Sequence, residues 1–223
     1  MRTLGNYAPA NSAKDWDLIA TFFPADDVFR ARREAEGLHR TRHEEIGLSY
    51  QPFLYALARL WLEEPVVLIE TGVRTGVSTF YALSALKHRG PESALYSCDP
   101  MYLHPTQAKE RVQEALSVPE DLFDPWVFLG QRSADALPRF HQDAPVWDIF
   151  THDSDHREAN MTYELDFAWE RLREAGFLLV DDFEGQAYGP GDPSHHNGFF
   201  EFTKRHQLDW GIVGGAALIQ KPA

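Results

Sequence analysis

The sequence predicts an α/β protein built on a doubly wound, mostly parallel β-sheet. Its 223 residues suit one domain with a modest extension, and 43% of them are apolar, as in most globular proteins. From residue 66 onwards, short aliphatic segments alternate with amphipathic stretches of helical periodicity. The aliphatic segments are apolar almost throughout, as expected for parallel strands that are buried on both faces of a sheet.

Seven strands are expected along the chain. Five of them form the parallel part of the sheet: Val66–Glu70, Ala94–Cys98, Trp126–Leu129, Trp147–Thr151 and Phe177–Val180. The intervening helices are expected at about residues 77–88, 105–117 and 157–173. The Gly- and Pro-rich stretch Glu184–Gly198 predicts a long loop, and a helix at about 198–207 follows it. Trp210–Val213 and Ala216–Gln220 flank Gly214-Gly215, which predicts a terminal antiparallel hairpin.

Residues 1–65 differ from the rest and are predicted to form a helical cap. Interleaved arginines and glutamates indicate a solvent-exposed helix over residues 28–47, and apolar spacing indicates another over residues 52–62. Three aromatic residues near the start of the chain are candidates for the wall of a substrate pocket: Trp16, Phe22 and Phe23. Packing in the core, or a contact in a homo-oligomer, explains them equally well.

The formal net charge of -13, from 34 acidic and 21 basic residues, restricts the partners of the chain. Such an acidic protein repels nucleic-acid phosphates and anionic membranes, so a small neutral or cationic molecule, or a metal ion, is a better candidate. The first 30 residues contain no apolar stretch of signal-peptide length, and a cytoplasmic protein is the simplest expectation. Cys98 is the only cysteine, which excludes an internal disulfide.

The segment from Glu70 to Gly76 joins the first strand to a helix and predicts a ligand-binding turn. Ligands of open α/β sheets bind beyond the carboxyl ends of the strands, where glycine lets the backbone approach a ligand and the helix N-terminus offers free N–H groups. Counting from Gly72, Arg74 occupies the second glycine position of the dinucleotide fingerprint, which disfavours an NAD-type oxidoreductase. The charge of Glu70 suits an ammonium or sulfonium ligand; a tight turn with a chance acidic residue is the alternative.

At this point the chain resembles the class I S-adenosylmethionine-dependent methyltransferases, over about residues 66–220. The pattern Glu70-x-Gly72-x-x-x-Gly76 is similar to their first motif, and Tyr96-Ser97-Cys98-Asp99 is similar to their second strand, which ends in an acidic residue. The terminal hairpin also suits their Rossmann-like fold. The resemblance implies that residues 66–223 form a domain that binds S-adenosyl-L-methionine and that residues 1–65 form an extension on the substrate side.

The same resemblance implies roles for individual residues. It places Glu70, Gly72 and Gly76 beside the methionine part of the cofactor. It also implies that Asp99 binds the ribose hydroxyls, a chemically sensible contact because a carboxylate accepts from both donors; a simple turn residue is the alternative. Ser133, in the loop after the third strand, is the candidate for a contact with adenine, and the N-cap of the next helix is its alternative role.

Acidic residues follow the fourth and fifth strands. The run from His152 to His156 contains Asp153 and Asp155, and Asp181-Asp182 directly follows Val180. Because adjacent parallel strands bring their carboxyl ends to one edge, these carboxylates are expected to converge, and like charges at short distance are costly. A divalent cation removes this conflict, and oxygen ligands suit Mg²⁺, Mn²⁺ or Ca²⁺ better than zinc.

This acidic pattern is similar to that of metal-dependent O-methyltransferases. The resemblance implies that Asp153, Asp181 and Asp182 are metal ligands, that Asp153 also borders the cofactor, and that His156 is the general base. The alternatives are a solvated strand end for Asp181-Asp182, a cap of the next helix for Asp155, and a surface position in the first helical turn for His156.

The expected function is therefore metal-dependent methyl transfer from S-adenosylmethionine to a small hydroxylated molecule, such as a sugar, a polyketide or an aromatic natural product. A metal-independent methyltransferase, whose carboxylates hold an amine, is one alternative. A non-catalytic domain that binds a cofactor or a partner is another. The sequence assigns no role to three further histidines: His152, His195 and His196.

Overall fold

A computed structural model describes residues 13–40, 50–116, 118–183 and 196–223. Within these ranges one sheet contains the strands β1 (Val67–Thr71), β2 (Ala94–Cys98), β3 (Trp126–Leu129), β4 (Trp147–His152), β5 (Leu172–Val180), β6 (Gly211–Val213) and β7 (Ala216–Gln220). Their order across the sheet is β3-β2-β1-β4-β5-β7-β6. All pairs from β3 to β5 are parallel, and β7 is antiparallel to both β5 and β6. The predicted Rossmann-like sheet with its terminal hairpin is confirmed.

Helices cover both faces of this sheet. In the described ranges they are α1 (Ala13–Ile19), α2 (Ala25–Arg40), α3 (Gln51–Leu60), α4 (Val77–Leu86), α5 (Pro105–Leu116), α6 (Ser133–Asp143), α7 (Glu158–Arg171) and α8 (Asn197–His206). A 3₁₀ turn, Glu120–Phe123, precedes β3. None of the described helices combines the length and the apolar character that crossing a membrane requires.

Two features of these elements differ from the sequence prediction. The bounds of helix α6 were not predicted: a helix after Ser133 entered only through the alternative role of that serine, and Pro138 lies inside α6 and interrupts the usual helical signal. Strand β5 begins at Leu172 rather than at Phe177, so the predicted helix 157–173 ends at Arg171. Leu172 already pairs with Trp147, and the register shifts before the main ladder with β4 begins.

Successive strand residues alternate between two hydrophobic clusters, one on each face of the sheet. Phe177 and Leu179 belong to the cluster beneath α1–α5, whereas Leu178 and Val180 belong to the cluster beneath α6–α8. This period of two, with both faces buried, explains why the predicted strands are apolar at nearly every position.

The N-terminal helices contribute to the first of these clusters. Trp16 packs on Phe53 of α3, with 4.7 Å between the ring centroids, and Phe22 and Phe23 lie 5.1 Å and 6.0 Å from Phe177 of β5. Trp16 and Phe23 are buried, so core packing accounts for them. Of the predicted helix 28–47, residues 41–47 lie outside the described part. The division into domains at residue 65 stays a prediction.

Candidate active site

The loops after β1 and β4 lie against each other at the carboxyl edge of the sheet. The backbone N–H of Asp153 donates to the Thr71 carbonyl over 2.9 Å, and the N–H of Gly72 donates to the Cys98 carbonyl over 2.8 Å. Gly72 has a φ of 88°, and a Cβ atom there would overlap the carbonyl oxygen of Asp153. Glycine is therefore required at position 72 by its conformation and by the close approach of the β4 loop.

Asp99 fixes the glycine loop from the end of β2. Its Oδ2 atom accepts hydrogen bonds from the backbone N–H groups of Val73 (3.0 Å) and Arg74 (2.9 Å), and its Oδ1 atom accepts one from Met101 (2.8 Å). Arg74 has a φ of 47°, so an arginine here adopts the left-handed conformation that glycine usually provides. Asp99 thus makes the turn contacts expected as its alternative role, while its contact with a ribose stays a prediction.

Glu70 is fully buried beneath the same loop. Its two oxygens accept hydrogen bonds from the hydroxyls of Ser78 (2.6 Å), Thr79 (2.8 Å) and Ser97 (2.7 Å). Burial raises the pKa of Glu70 even though these three hydroxyls favour the charged form. Glu70 therefore ties β1 and β2 to the start of α4, where Gly76 is the N-cap with a φ of 77°.

Three carboxylates and one phenol converge at the ends of β4 and β5. Shielding of the Asp153 carboxyl from water raises its pKa well above the ordinary value, and the nearby charges of Asp181, Asp182 and Glu70 raise it further. The hydroxyl of Tyr50, at the start of α3, lies 3.4 Å from Asp153 Oδ2 and lowers that pKa by donating a hydrogen bond. Asp153 thus lies within the electrostatic influence of Asp181 and Asp182, while their joint binding of a metal ion stays a prediction.

A second buried carboxylate, Glu164 of α7, lies behind this cluster. It accepts hydrogen bonds from the hydroxyls of Thr71 (2.6 Å) and Ser154 (2.6 Å), from the Asn160 amide (2.8 Å) and from Nδ1 of His152 (2.7 Å). The side chains at the ends of β1 and β4 are thus bound to one residue on a helix.

Ser133 belongs to this same network. Helix α6 begins at Ser133 and has Arg132 as its N-cap, without a side-chain cap. The Ser133 hydroxyl donates to Oδ1 of Asn160 over 3.3 Å, and it helps to lower the pKa of Glu164. The N-cap role expected as an alternative for Ser133 is therefore wrong, because its hydroxyl faces α7 and not the first turn of α6.

Histidine rings form a row beside the carboxylates. His152 and His156 lie 4.9 Å apart by ring centroid, and His196 follows 6.4 Å from His156. His156 is 6% exposed, so the surface position expected as its alternative is wrong. The ring of Phe183 lies 4.8 Å from that of His196, and the two rings are tilted by 37°. His195 lies outside the described residues, as does most of the predicted loop Glu184–Gly198.

Asp155 takes no part in the carboxylate cluster. It is exposed, and it accepts hydrogen bonds from the backbone N–H of Arg157 (3.2 Å) and from its guanidinium Nε (2.8 Å). Arg157 is the N-cap of α7, which begins at Glu158. The predicted cap of the helix by Asp155 is wrong, because its carboxylate binds the residue before the helix.

The chain matches the family model described as "Methyltransferase domain" over residues 69–183, slightly more than half of its length. The chain belongs to this methyltransferase family. No curated protein matches the methyltransferase in sequence.

Several solved structures share the fold of this methyltransferase. One is CalS11, a TDP-rhamnose 3'-O-methyltransferase of calicheamicin biosynthesis, with a TM-score of 0.58, 15% identity, and coverage of 94% of this chain and 95% of that chain. A second is TomG from Streptomyces achromogenes, an O-methyltransferase of tomaymycin synthesis, with a TM-score of 0.55, 19% identity, and coverage of 86% and 90%. A third is the O-methyltransferase NovP, with a TM-score of 0.56, 18% identity, and coverage of 81% and 83%. At these identities the likeness shows a common fold.

The carboxylate cluster of the methyltransferase suits a hard divalent cation in its donor chemistry. Asp153, Asp181 and Asp182 offer only oxygen ligands, and their mutual repulsion is of the kind that a cation relieves. Among the described residues, however, no group of three or more His, Cys, Asp or Glu side chains stands at the spacing of a formed metal site. The residues fit a cation by the chemistry of their oxygen atoms, but they do not surround one shared position as they stand.

Two residues of the site were missed by sequence reasoning. Glu164 carried a readable signal, because it shares the buried face of α7 with Met161, Leu165 and Ala168, where an acidic side chain requires a partner. Tyr50 carried no local signal, since it meets Asp153 only through the packing of α3, 103 residues away in the sequence.

Proposed function

We propose that this methyltransferase transfers a methyl group from S-adenosyl-L-methionine to a hydroxyl of a small molecule, with the help of a divalent cation, Mg²⁺ or alternatively Mn²⁺ or Ca²⁺. The observation that supports this proposal is the contact between the glycine loop and the acidic loop. Asp153 N–H bonds the Thr71 carbonyl, and Gly72 packs on the Asp153 carbonyl. A cofactor beyond the glycine loop and an acceptor beside the carboxylates would therefore be neighbours.

The proposed cofactor site lies beyond the ends of β1 and β2. We place the methionine part beside Gly72 and Gly76, whose missing side chains let Asp153 and Val112 approach the loop closely, and Glu70 holds the loop beneath it. Asp99 already orders the Val73 and Arg74 amides, and we assign it the ribose hydroxyls. The Ser133 hydroxyl donates to Asn160, so we assign the proposed contact with adenine to the backbone at the start of α6.

The proposed reaction is a direct displacement at the sulfonium methyl. A divalent cation held by Asp153, Asp181 and Asp182 would supply Lewis acidity, which lowers the pKa of the acceptor hydroxyl. His156 takes up the hydroxyl proton at a ring nitrogen, which histidine does well near neutral pH. Its ring is buried and held between those of His152 and His196, so its position is fixed before the acceptor arrives. The protein then contributes mainly by orienting the two reactants.

The acceptor class is proposed from the fold neighbours. CalS11 methylates a nucleotide-linked sugar, and TomG acts in tomaymycin synthesis. A sugar, a polyketide or an aromatic natural product with a free hydroxyl therefore fits the proposal. The acidic charge of the chain supports a small acceptor over a nucleic acid.

The test compares Asp181→Asn with Asp155→Asn, which changes a carboxylate of the neighbouring loop that is paired with Arg157. Methyl transfer from tritiated S-adenosylmethionine is measured on a panel of phenols and nucleotide sugars, with and without EDTA, and S-adenosylmethionine and Mn²⁺ binding are measured by calorimetry. We expect Asp181→Asn and EDTA to reduce turnover by at least about 100-fold, the scale of a lost Lewis acid. Asp155→Asn should remain near the wild type.

One observation favours a second candidate, a metal-independent methyltransferase. The described side chains do not form a ready metal site. Turnover that EDTA leaves unchanged, together with no Mn²⁺ binding, would support this candidate and reject the cation. Absence of S-adenosylmethionine binding would reject the methyl donor itself.

A further inference from the structure

Glu164 is a buried carboxylate on the apolar face of α7, and it lies behind the proposed site rather than in it. The residue is fully shielded from solvent, and Met161, Leu165 and Ala168 share its face of the helix. Burying a carboxylate is costly unless hydrogen bonds occupy its oxygens. The partners of Glu164 therefore indicate what the residue stabilises.

Four of its donors come from the end of β1, from β4 and the loop that follows it, and from α7 itself. Oε2 accepts hydrogen bonds from the Thr71 hydroxyl (2.6 Å) and from His152 Nδ1 (2.7 Å). Oε1 accepts hydrogen bonds from the Ser154 hydroxyl (2.6 Å) and from the Asn160 amide (2.8 Å). Only Asn160 belongs to the same helix as the carboxylate.

The other three donors flank the residues that the proposed site needs. Thr71 is the last residue of β1 and directly precedes Gly72. His152 and Ser154 are the two neighbours of Asp153 in the chain. One carboxylate thus binds the residues on either side of Asp153 and the residue that starts the glycine loop.

The charge of Glu164 strengthens these bonds. Burial alone would raise the pKa of Glu164, but His152 and the surrounding hydroxyls lower it to about 2. An ionised carboxylate can only accept hydrogen bonds, so Nδ1 of His152 carries the proton that it shares with Glu164. Hydrogen bonds to a charged group are stronger than those between neutral groups.

We propose that Glu164 is a positioning residue that holds the glycine loop and Asp153 together in the arrangement that binds S-adenosylmethionine. The inference rests on the proposed function only for the identity of that ligand. Glu164 acts through Thr71, His152 and Ser154, and it has no contact of its own with the reactants.

A purely structural role would give a different result, and the chain offers a matched control. Asp148 is another fully buried carboxylate, at the opposite end of β4. It accepts a hydrogen bond from the Val67 N–H (2.7 Å) and pairs with Arg173 (2.9 Å). Both carboxylates are fully buried, but only Glu164 borders the proposed site.

The experiment compares Glu164→Gln with Asp148→Asn in the full chain. Hydrogen exchange is followed by mass spectrometry in peptides that cover residues 72–76 and 153–156, and S-adenosylmethionine affinity is measured by calorimetry. We expect Glu164→Gln to raise exchange in both peptides and to weaken affinity by about tenfold or more, which is the loss of one charged hydrogen bond. Asp148→Asn should leave both quantities within about twofold of the wild type.

Equal exchange and equal affinity in the wild type and Glu164→Gln would overturn the inference, as would the same changes in Asp148→Asn. If Glu164→Gln does not fold, Thr71→Val and Ser154→Ala each remove one donor, and both should show the same two changes at reduced size. If the wild type binds no S-adenosylmethionine, the proposed function fails, while the exchange measurement still decides whether Glu164 orders the two loops.

Discussion

The hydroxyl of Tyr50 donates to the Asp153 carboxylate over 3.4 Å, which links the N-terminal helices to the acidic loop after β4. Tyr50 is buried, and burial, followed by the charges of Asp153, Asp181 and Glu70, raises its pKa well above the ordinary value. The phenol is therefore a neutral donor at physiological pH. Among the described residues, Tyr50 is a residue from the region before position 66 that contacts the proposed site.

This contact predicts that Tyr50→Phe weakens ligand binding at Asp153. The substitution keeps the ring in the core and removes only the donor, so Mn²⁺ affinity should fall by roughly fivefold, the equivalent of one hydrogen bond of about 1 kcal/mol. The matched control is Tyr55→Phe on the same helix, whose hydroxyl donates to Glu34 over 2.9 Å, away from the site. Calorimetry with Mn²⁺ on both variants checks the prediction, which fails if the two variants bind equally.

The close approach of Gly72 to Asp153 predicts that Gly72→Ala disrupts the cofactor loop. The new methyl group would overlap the Asp153 carbonyl oxygen, and a φ of 88° strains any residue with a Cβ. S-adenosylmethionine affinity should fall by at least about tenfold, and the protein should lose on the order of 1–3 kcal/mol of stability. Calorimetry and thermal unfolding measure the two effects.

Gly37→Ala is the control for this substitution. Gly37 lies inside α2, and a Cβ atom there meets nothing within 4 Å. Alanine should stabilise the helix by about 0.5–1 kcal/mol and leave cofactor affinity unchanged. Wild-type affinity in Gly72→Ala would show that the contact with the β4 loop is not needed.

The strands were predictable because the sheet is buried on both faces. Residues such as Phe177 and Leu178 face opposite clusters, so both are apolar and the strand stands out in the sequence. The convergence of Asp153 with Asp181 followed from the same reasoning, since parallel neighbours end at one edge. The bounds of α6 did not follow from the sequence, because Pro138 lies inside the helix and interrupts its periodicity.

The residues that support the site were harder to predict. The partners of Ser133 and Asp155 depend on where α6 and α7 begin, to within one residue, and helix ends are not fixed that closely by sequence. Tyr50 meets Asp153 through tertiary packing alone. Glu164 could have been predicted from the sequence, because an acidic residue on an apolar helical face implies a buried partner.

The proposed role of His156 as general base predicts that His156→Ala lowers the turnover rate with little loss of cofactor affinity. Its buried ring lies next to that of His152, and replacement by alanine should reduce turnover by about 10²–10⁴-fold, the usual range for a general base. His88→Ala, at an exposed position after α4, is the control. Turnover is measured at saturating S-adenosylmethionine, and a loss below about threefold would remove His156 from the role of base.

The proposed contact of Asp99 with the ribose predicts that Asp99→Ala mainly lowers the affinity for the cofactor. Asp99→Ala leaves the amides of Val73, Arg74 and Met101 without their acceptor and removes the proposed ribose contact. The Kd for S-adenosylmethionine should rise by at least about tenfold. Asp135→Asn, an exposed acidic residue in the first turn of α6, is the control. An unchanged Kd for Asp99→Ala, measured by calorimetry, would contradict the assignment.

The two buried carboxylates beside β4 predict opposite dependences of stability on pH. The pKa of Glu164 falls from 4.5 to about 2, because His152 and the hydroxyls outweigh burial. The unfolded chain then binds more protons between these values, so the stabilisation by Glu164 is complete above about pH 4.5 and is lost as the pH falls towards 2. Burial raises the pKa of Asp148 from 3.8 to about 6, so its ionisation destabilises the fold as the pH rises through that range.

Urea unfolding of the wild type, Glu164→Gln and Asp148→Asn between about pH 3 and pH 7 measures both effects. The deficit of Glu164→Gln should be constant above about pH 5 and should shrink below pH 4.5, because the wild type loses an advantage that the variant never had. The free energy of unfolding of Asp148→Asn, minus that of the wild type, should increase from about pH 4 to pH 6. Only the wild type is destabilised by ionisation at this position, since asparagine does not ionise. Differences that stay constant across the whole range would show that neither carboxylate has the charge state assigned to it.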